Sequence, residues 1–385
     1  MYAKKLLTGL LISFSIHCFS QTSYNYILDQ ISSNNKGLQY MRQSAEAGKT
    51  SNKLVNNLKN PSLTYQHKHA DDQLSVSQSF DFPTAYYYRS QVNKLKGKQL
   101  DALFENYRQD LLLTAKLTCL KIIFLNQQNE VLHTRLQNSL DLAALYQVRV
   151  NEGKSNPLDK NKIDLEQINT EANLKTNEAA LFAARSELQA LNGGIPLEFD
   201  FLAYPDTSIG IDTTHLKERY IQSDYEYIAQ NIGNQIADKQ ITVARTNNLP
   251  GIELEYKQNI INDHKPGYNI GISVPVFANR NKLKLAKQNQ IASELQQEAL
   301  ARNLDSEYDQ LIAQYKGLCE SLLQFRKLFK TQNNLDIINK YIHSENITMI
   351  DYFVELNSYY ASLQTLLELE NQYQIIISKL EKYKL

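Results

Sequence analysis

The strongest constraint on this chain is that it is written twice. Residues 24–58 form a helical pattern ending at "NPSLTYQHKH", and residues 214–248 form another ending at "LPGIELEYKQN". Pro61 and Pro250 hold matching places. Each closes a helix and opens an extended segment, because proline cannot continue the helical hydrogen-bond ladder. The extended segments alternate with period two, as strands do. In the first copy Leu63 and Tyr65 share a face with Leu74, Val76, Phe80 and Phe82, while Ser75, Ser77, Ser79 and Asp81 take the other. In the second copy Ile252, Leu254, Tyr256 and Ile260 oppose Glu253, Glu255 and Lys257. Its return strand sets Tyr268, Ile270, Ile272, Val274 and Val276 on one side. Each copy thus predicts one hairpin with strands of about 9–11 residues.

A very long helix follows each hairpin. From Thr84 to Glu152 only Gly97 interrupts the pattern, and apolar residues recur at Leu132, Leu136, Leu140, Ala144 and Val148. Some 65–70 residues rising 1.5 Å each span roughly 100 Å. A tip at 152–157 turns the chain, and 158–191 returns to "NGG" at 192–194. The second copy descends from Asn281 to Ser344, turns, and returns from Thr348 to Leu385. The tips match in chemistry: Glu152 meets Glu345, Ser155 meets Thr348, Leu158 meets Ile350 and Asp159 meets Asp351, with one residue fewer in the second. The organisation read from this is a signal peptide at 1–20 and a first repeat at 21–192 (β-hairpin 61–83, helical hairpin 84–192). A linker at 193–213 and a second repeat at 214–385 follow, the latter with β-hairpin 250–277, helical hairpin 278–385 and tip 344–348.

Composition narrows the function. The chain has 41 basic and 41 acidic residues, so it lacks the basic excess that nucleic-acid binding uses. Its 13 Gly and 8 Pro in 385 residues indicate long uninterrupted elements. Lys4 and Lys5 precede the apolar run "LLTGLLISFSI" and a small-x-small site at Cys18–Ser20, which predicts export with cleavage after Ser20. A lipoprotein reading through Cys18 is disfavoured because His17 stands where a small residue is expected. No later stretch approaches the roughly 18 consecutive apolar residues of a membrane-spanning helix. Cys119 and Cys319 lie in separate helical patterns and read as apolar residues rather than a disulfide. His67, His69 and His264 fall at one end of the predicted hairpins, where a metal site is conceivable but lone surface histidines are commoner; His133, His215 and His343 are isolated. No catalytic or phosphate-binding motif is present, so neither an enzyme nor a cofactor or metal is expected.

Short two-faced strands often form a small soluble layer. Three features favour a membrane instead: continuous apolar faces opposite Ser, Glu, Lys and Asp, strand lengths suited to a tilted transmembrane strand, and aromatics at the strand ends. Phe80, Phe82, Tyr86, Tyr87 and Tyr88 stand where an interfacial girdle would sit. Four strands cannot close a barrel, and an open edge in lipid leaves backbone groups unpaired at several kcal/mol each. Two chains would give eight strands and a filled interior, whereas three give twelve and an open lumen. The predicted fold class is therefore mainly α with a membrane β-barrel part, assembled as a homotrimer in outer-membrane lipid.

From about residue 24 to 385 the chain resembles the TolC family of outer-membrane efflux channels. The residues that carry the resemblance are "NPSL", "ARTNNLPGIELEY", "SVPVFANRNKLKLA" and the two tips, in order and duplicated. It implies a 12-stranded barrel above a periplasmic α-helical tunnel, docked by its tips on a periplasmic adaptor protein that an inner-membrane efflux transporter feeds. The short N-terminus resembles channels of resistance-nodulation-division pumps for cations and drugs. Asp351 matches the position where aspartates ring the periplasmic aperture and favour cations; a helix N-terminal acid stabilised by the dipole is the alternative, and it is the preferred account for Asp159. The second acidic ring of the family falls on Val354, with Glu355 next to it, and the basic latch of some members falls on Ile347. The implied adaptor-docking positions are Gly153, Lys154 and Ser155 in one tip, and Asn346, Ile347 and Thr348 in the other. For Gly153 a plain turn explains the residue equally well. A type I protein-secretion channel, which shares the fold, and a structural coiled-coil stalk are the other readings.

Overall fold

A computed structural model describes residues 24–68, 71–199, 201–204, 209–210, 214–260, 265–331, 337, 340 and 348–385. The signal segment, His69, His264, His343, Glu345, Asn346 and Ile347 lie outside the described residues. The first copy runs α1 (Tyr24–Asn34), α2 (Lys36–Leu54), β1 (Ser62–Lys68), β2 (Asp71–Phe80), α3 (Pro83–Asn151) and α4 (Pro157–Leu191). The second runs α5 (Leu216–Gln222), α6 (Tyr225–Thr246), β3 (Gly251–Asn259), β4 (Gly267–Ser273), α7 (Lys282–Thr331) and α8 (Met349–Leu380), with a 3-10 turn at Lys382–Lys384.

The helical pattern over 24–58 is two helices, not one, and the pattern over 214–248 is likewise split. Asn35 caps α2 by accepting from the Leu38 amide at 2.9 Å, and Asp224 caps α6 by accepting from the Tyr227 amide at 2.9 Å. A side-chain oxygen that satisfies one of the first free amides of a helix starts that helix afresh. Both caps stand 26 residues before their proline, Asn35 before Pro61 and Asp224 before Pro250, so the breaks are duplicated with the rest.

The four strands form one antiparallel sheet in the order β1-β2-β3-β4, with β2 and β3 joining the two copies. Leu63, Val76, Tyr256 and Tyr268 run across one face in register, and Phe80, Ile252 and Ile272 form another row on the same face. Ser62, Ser77, Glu255 and Asn269 form a row on the opposite face. The strands are 7 to 10 residues long, shorter at their ends than the alternation suggested. Ile260 lies just past β3, and Val274 and Val276 lie past β4, where Pro275 has no amide for the ladder. Phe82 caps α3 rather than ending a strand, with Pro83 in the first helical turn.

Away from the sheet, the core falls into three clusters. Ile27, Ile31, Leu120 and Ile123 from α1 and α3 pack with Leu188 of α4 and with Phe199 and Tyr204 of the linker. Leu216 and Tyr220 of α5 pack with Tyr308, Tyr315 and Leu322 of α7 and Tyr373 of α8. Towards the tips, α3, α4 and α8 share a third cluster built on Tyr146, Ile163, Tyr352 and Leu356. Cys119 is fully buried and unpaired, and burial pushes its thiol up to about 12, so it is an apolar core residue. Cys319 is also free.

Candidate functional site

Two places in the fold concentrate unusual surface: the sheet and the tips. On the sheet, the apolar face is turned to the outside, with Tyr268 77 %, Ile270 76 % and Ile272 71 % exposed. None of the described residues covers them. The other face is polar: the Ser62 and Ser77 hydroxyls lie 2.8 Å apart, Asn269 donates to Glu255 at 3.2 Å, and Lys257 pairs with Glu255 at 3.0 Å. The sheet thus has one greasy and one hydrated face, both exposed. Its edges, β1 and β4, have no partner strand among the described residues. Among the described residues no helix is long and apolar enough to cross a membrane.

The five aromatics proposed for a girdle diverge at the helix side of the sheet. Phe80 ends β2 on the apolar face. Tyr86 accepts from the Asp81 amide at 3.0 Å and carries Arg89 over its ring at 5.7 Å. Tyr87 points into solvent with its ring edge-on to Tyr88 at 5.3 Å. Successive residues on a helix point about 100° apart, which is why Tyr86, Tyr87 and Tyr88 do not share a face.

At the loop end of the sheet, Tyr65 donates to Asp72 at 2.7 Å and His67 is hydrogen-bonded to the same carboxylate. Among the described residues no group of His, Cys, Asp and Glu side chains could hold a metal ion.

The first tip is fixed by its backbone. Gly153 takes φ +70°, its amide bonds to the Val150 carbonyl at 3.0 Å, and the Lys154 amide bonds to the Arg149 carbonyl at 2.8 Å. That pair of bonds is the left-handed helix ending that glycine permits without strain. Lys154 pairs with Glu152 at 2.8 Å, which holds the Glu152 carboxyl below its usual range. Asn156 then caps α4, accepting from the Leu158 amide at 3.0 Å, with Pro157 in the first turn. Ser155 is half-buried between these two caps. Asp159, three residues after the cap, is half-buried and lies 3.8 Å from Lys162.

The second tip starts α8 in the same way. Thr348 caps it, accepting from the Asp351 amide at 3.2 Å while its hydroxyl donates to the Asp351 carboxylate at 2.6 Å. Asp351 again stands three residues after the cap. From there the surroundings differ. Met349, Tyr352, Leu356 and Tyr360 form a buried stripe, Tyr352 at 2 % exposure, and burial pushes its hydroxyl up to about 12. Asp351, Val354 and Glu355 lie on the opposite, exposed side of the helix. Among the described residues Asp351 has no cationic partner.

A polar bridge above the tips ties the copies together. Arg135 of α3 bonds Glu166 of α4 at 2.5 Å and Asn357 of α8 at 3.1 Å, and lies over the Tyr360 ring at 4.8 Å. Asn138 donates to the Tyr360 hydroxyl at 3.3 Å. These contacts span more than 200 residues of sequence in the case of α3 and α8, so no local pattern reports them. The only trace is the spacing of Tyr352, Leu356 and Tyr360, four residues apart, which marks a helix face seeking a partner.

The chain is thus a duplicated unit with one exposed two-faced sheet and long helical hairpins. Solved structures similar to it include outer-membrane channels. No family model matches the chain, and no curated protein matches it in sequence. Structures of CusC that show conformational changes accompanying folding and transmembrane channel formation are similar at a TM-score of 0.79 and 15% identity, covering 93% of this chain and 91% of that one. The outer-membrane protein VceC of Vibrio cholerae is similar at 0.75 and 13% identity, covering 93% and 95%. The MtrE outer-membrane channel of Neisseria gonorrhoeae in its open state is similar at 0.72 and 14% identity, covering 93% and 88%. The chain therefore has the TolC-type fold over nearly its whole length.

Proposed function

We propose that the protein is an outer-membrane channel, the exit duct of a tripartite efflux system, conducting small molecules or metal cations passively to the outside. The observation that carries this is the sheet: four strands with an exposed apolar face, a hydrated face and two free edges. Because the strands alternate in direction, β1 of one chain meets β4 of the next in antiparallel sense, so a head-to-tail ring keeps every pairing antiparallel. Three chains supply twelve strands and an open lumen. The helices continue on one side and reach roughly 100 Å, the span of the 69 residues of α3 at 1.5 Å each. That length supports a reading in which the tips reach deep into the periplasm to meet an adaptor protein fed by an inner-membrane transporter.

In this arrangement Asp351 lines the aperture. It is exposed, without a cationic partner among the described residues, and held in orientation by Thr348, on the side of α8 opposite the buried stripe. Asp159 sits at the same helical position but is half-buried beside Lys162, which favours its role as a helix-start acid. Glu355, one turn beyond Asp351, adds to the same exposed side. Three copies of Asp351 around a narrow opening attract cations. Asp351→Asn lowers the cation selectivity of the pore in planar bilayers, read as a reversal potential moved towards zero, whereas Asp159→Asn leaves it in place. Unchanged reversal potentials for Asp351→Asn would remove it from the pore wall.

A further inference from the structure

The balanced total charge conceals a sharp local imbalance. Residues 47–61, 82–100, 239–252 and 274–293 contain no Asp or Glu, yet each carries Lys or Arg. These are the four stretches that join the sheet to the helices. They converge at one level of the molecule: Asn56 donates to the Tyr86 carbonyl, Gln78 of β2 donates to the Lys59 carbonyl at 2.7 Å, and Asn279 donates to the Asn247 carbonyl.

At this level Lys53, Lys59, Arg245, Arg280, Lys282 and Lys284 are all exposed. None has a carboxylate partner among the described residues; Lys282 donates only to Asn279, at 2.7 Å. Two carboxylates lie near the collar. Asp81 is engaged by Arg89 at 2.7 Å, and Glu253 stands on the hydrated face of the sheet. Helix ends do not account for the cations. Lys53 and Arg245 stand in last turns, where a positive charge is favoured, but Arg280, Lys282 and Lys284 stand at the start of α7, where the dipole disfavours it.

Apolar residues are threaded between them. Leu54, Val55 and Leu58 are exposed beside Lys53 and Lys59, and Val274, Val276 and Phe277, the last at 85 %, precede Arg280. Gln78 lies on the apolar face of the sheet, so its bond to Lys59 puts this skirt on that side. The greasy face of the strands thus runs without a break into a belt of apolar side chains carrying cations. Long basic side chains bury their stems at such a boundary and hold the charge at the headgroups.

Resting on the channel reading, we infer that this belt is a lipid-binding collar that takes the anionic headgroups of the membrane leaflet on the helix side. Its occupant is an acidic phospholipid, recognised by its phosphate charge and by the apolar step beneath it. The collar sets the height of the barrel in the bilayer and selects the lipids around it.

The test uses the purified full chain in micelles containing equal phosphatidylglycerol and phosphatidylcholine, with the lipids retained after gel filtration counted. Six exposed cations at an anionic surface predict phosphatidylglycerol enriched about tenfold or more, falling as salt is raised. The variant K53Q/K59Q/R245Q/R280Q/K282Q/K284Q retains the two lipids about equally, and the half-variant R280Q/K282Q/K284Q falls between. Soluble glycerol phosphate fails to displace the retained lipid; displacement would assign the belt to free phosphate and overturn the collar. Equal retention by the natural chain, or unchanged enrichment in both variants, would also overturn it. So would a variant that loses oligomer mass at an unchanged lipid ratio, which would assign the cations to contacts between chains. Insertion into phosphatidylcholine vesicles is measured in parallel. If neither form inserts, the membrane reading itself fails; insertion without lipid preference refutes the collar alone.

Discussion

The two returning helices begin alike and then differ in what they leave exposed. Both α4 and α8 open on a side-chain cap with an aspartate three residues later. Yet α8 turns Tyr352, Leu356 and Tyr360 into the core, while α4 holds Leu158, Leu165 and Ile168 out in solvent, Leu165 at 61 % exposure. A duplicated element would keep one packing if each copy were self-sufficient. Both helices pack within the chain, α4 on α3 with Ile163 and Leu174 buried and α8 on α3 and α7; in the proposed ring the outer stripe of α4 meets a neighbouring chain. Towards the same end of α7, Leu323 and Leu328 are exposed on the other copy. In the proposed ring, α4 of one chain lies against α7 of the next.

The contrast can be broken first at its most buried point. Tyr352→Ala empties a fully packed site and costs about 3–5 kcal/mol, as aromatic truncations in cores do. Amide exchange over Met349–Tyr360 would speed up accordingly. Leu165→Ala, in contrast, leaves that exchange unchanged and weakens association between chains. Equal effects of the two would erase the distinction between the helices.

Arg135→Ala strikes the bridge between copies. It strands Glu166, whose side chain is only 12% exposed, and removes the cation from the Tyr360 ring. A partly buried pair broken on one side costs about 2 kcal/mol, less than a fully buried pair because solvent still reaches Arg135. A thermal melt of Arg135→Ala beside Glu166→Gln would check it, the milder neutral change giving the smaller loss.

The smallest effect lies in the first tip. Gly153→Ala forces a left-handed residue with a Cβ, although no other atom stands within 4 Å of that position. The penalty is therefore purely conformational, about 1 kcal/mol. It would show as faster exchange of the Gly153 and Lys154 amides, with the rest of α3 unaffected.

Much of this was legible because the signals are local. The period-two faces of β2 and β3, the two prolines and the tip chemistry each occupy a few neighbouring residues. Strand ends were overread because Val274 and Val276 keep the alternation going after Pro275 has stopped the ladder. The breaks at Asn35 and Asp224 were missed because a cap is a single residue set among helix formers; comparing the copies, with 26 residues to the proline in each, would have exposed them. The pairing of Arg135 with Glu166 and Asn357 was beyond reach, since it depends on how two copies pack. Charge showed the same limit: the whole-chain balance was visible at once, but the acid-free collar takes shape only when four distant stretches are brought to one level.

The central claim is that three chains close one barrel. The mass of the detergent-extracted particle from the outer-membrane fraction, corrected for bound detergent, tests it most directly. The account predicts three chains per particle in that fraction. A soluble monomer or dimer would contradict it, because the exposed sheet face and both free edges would then have no partner.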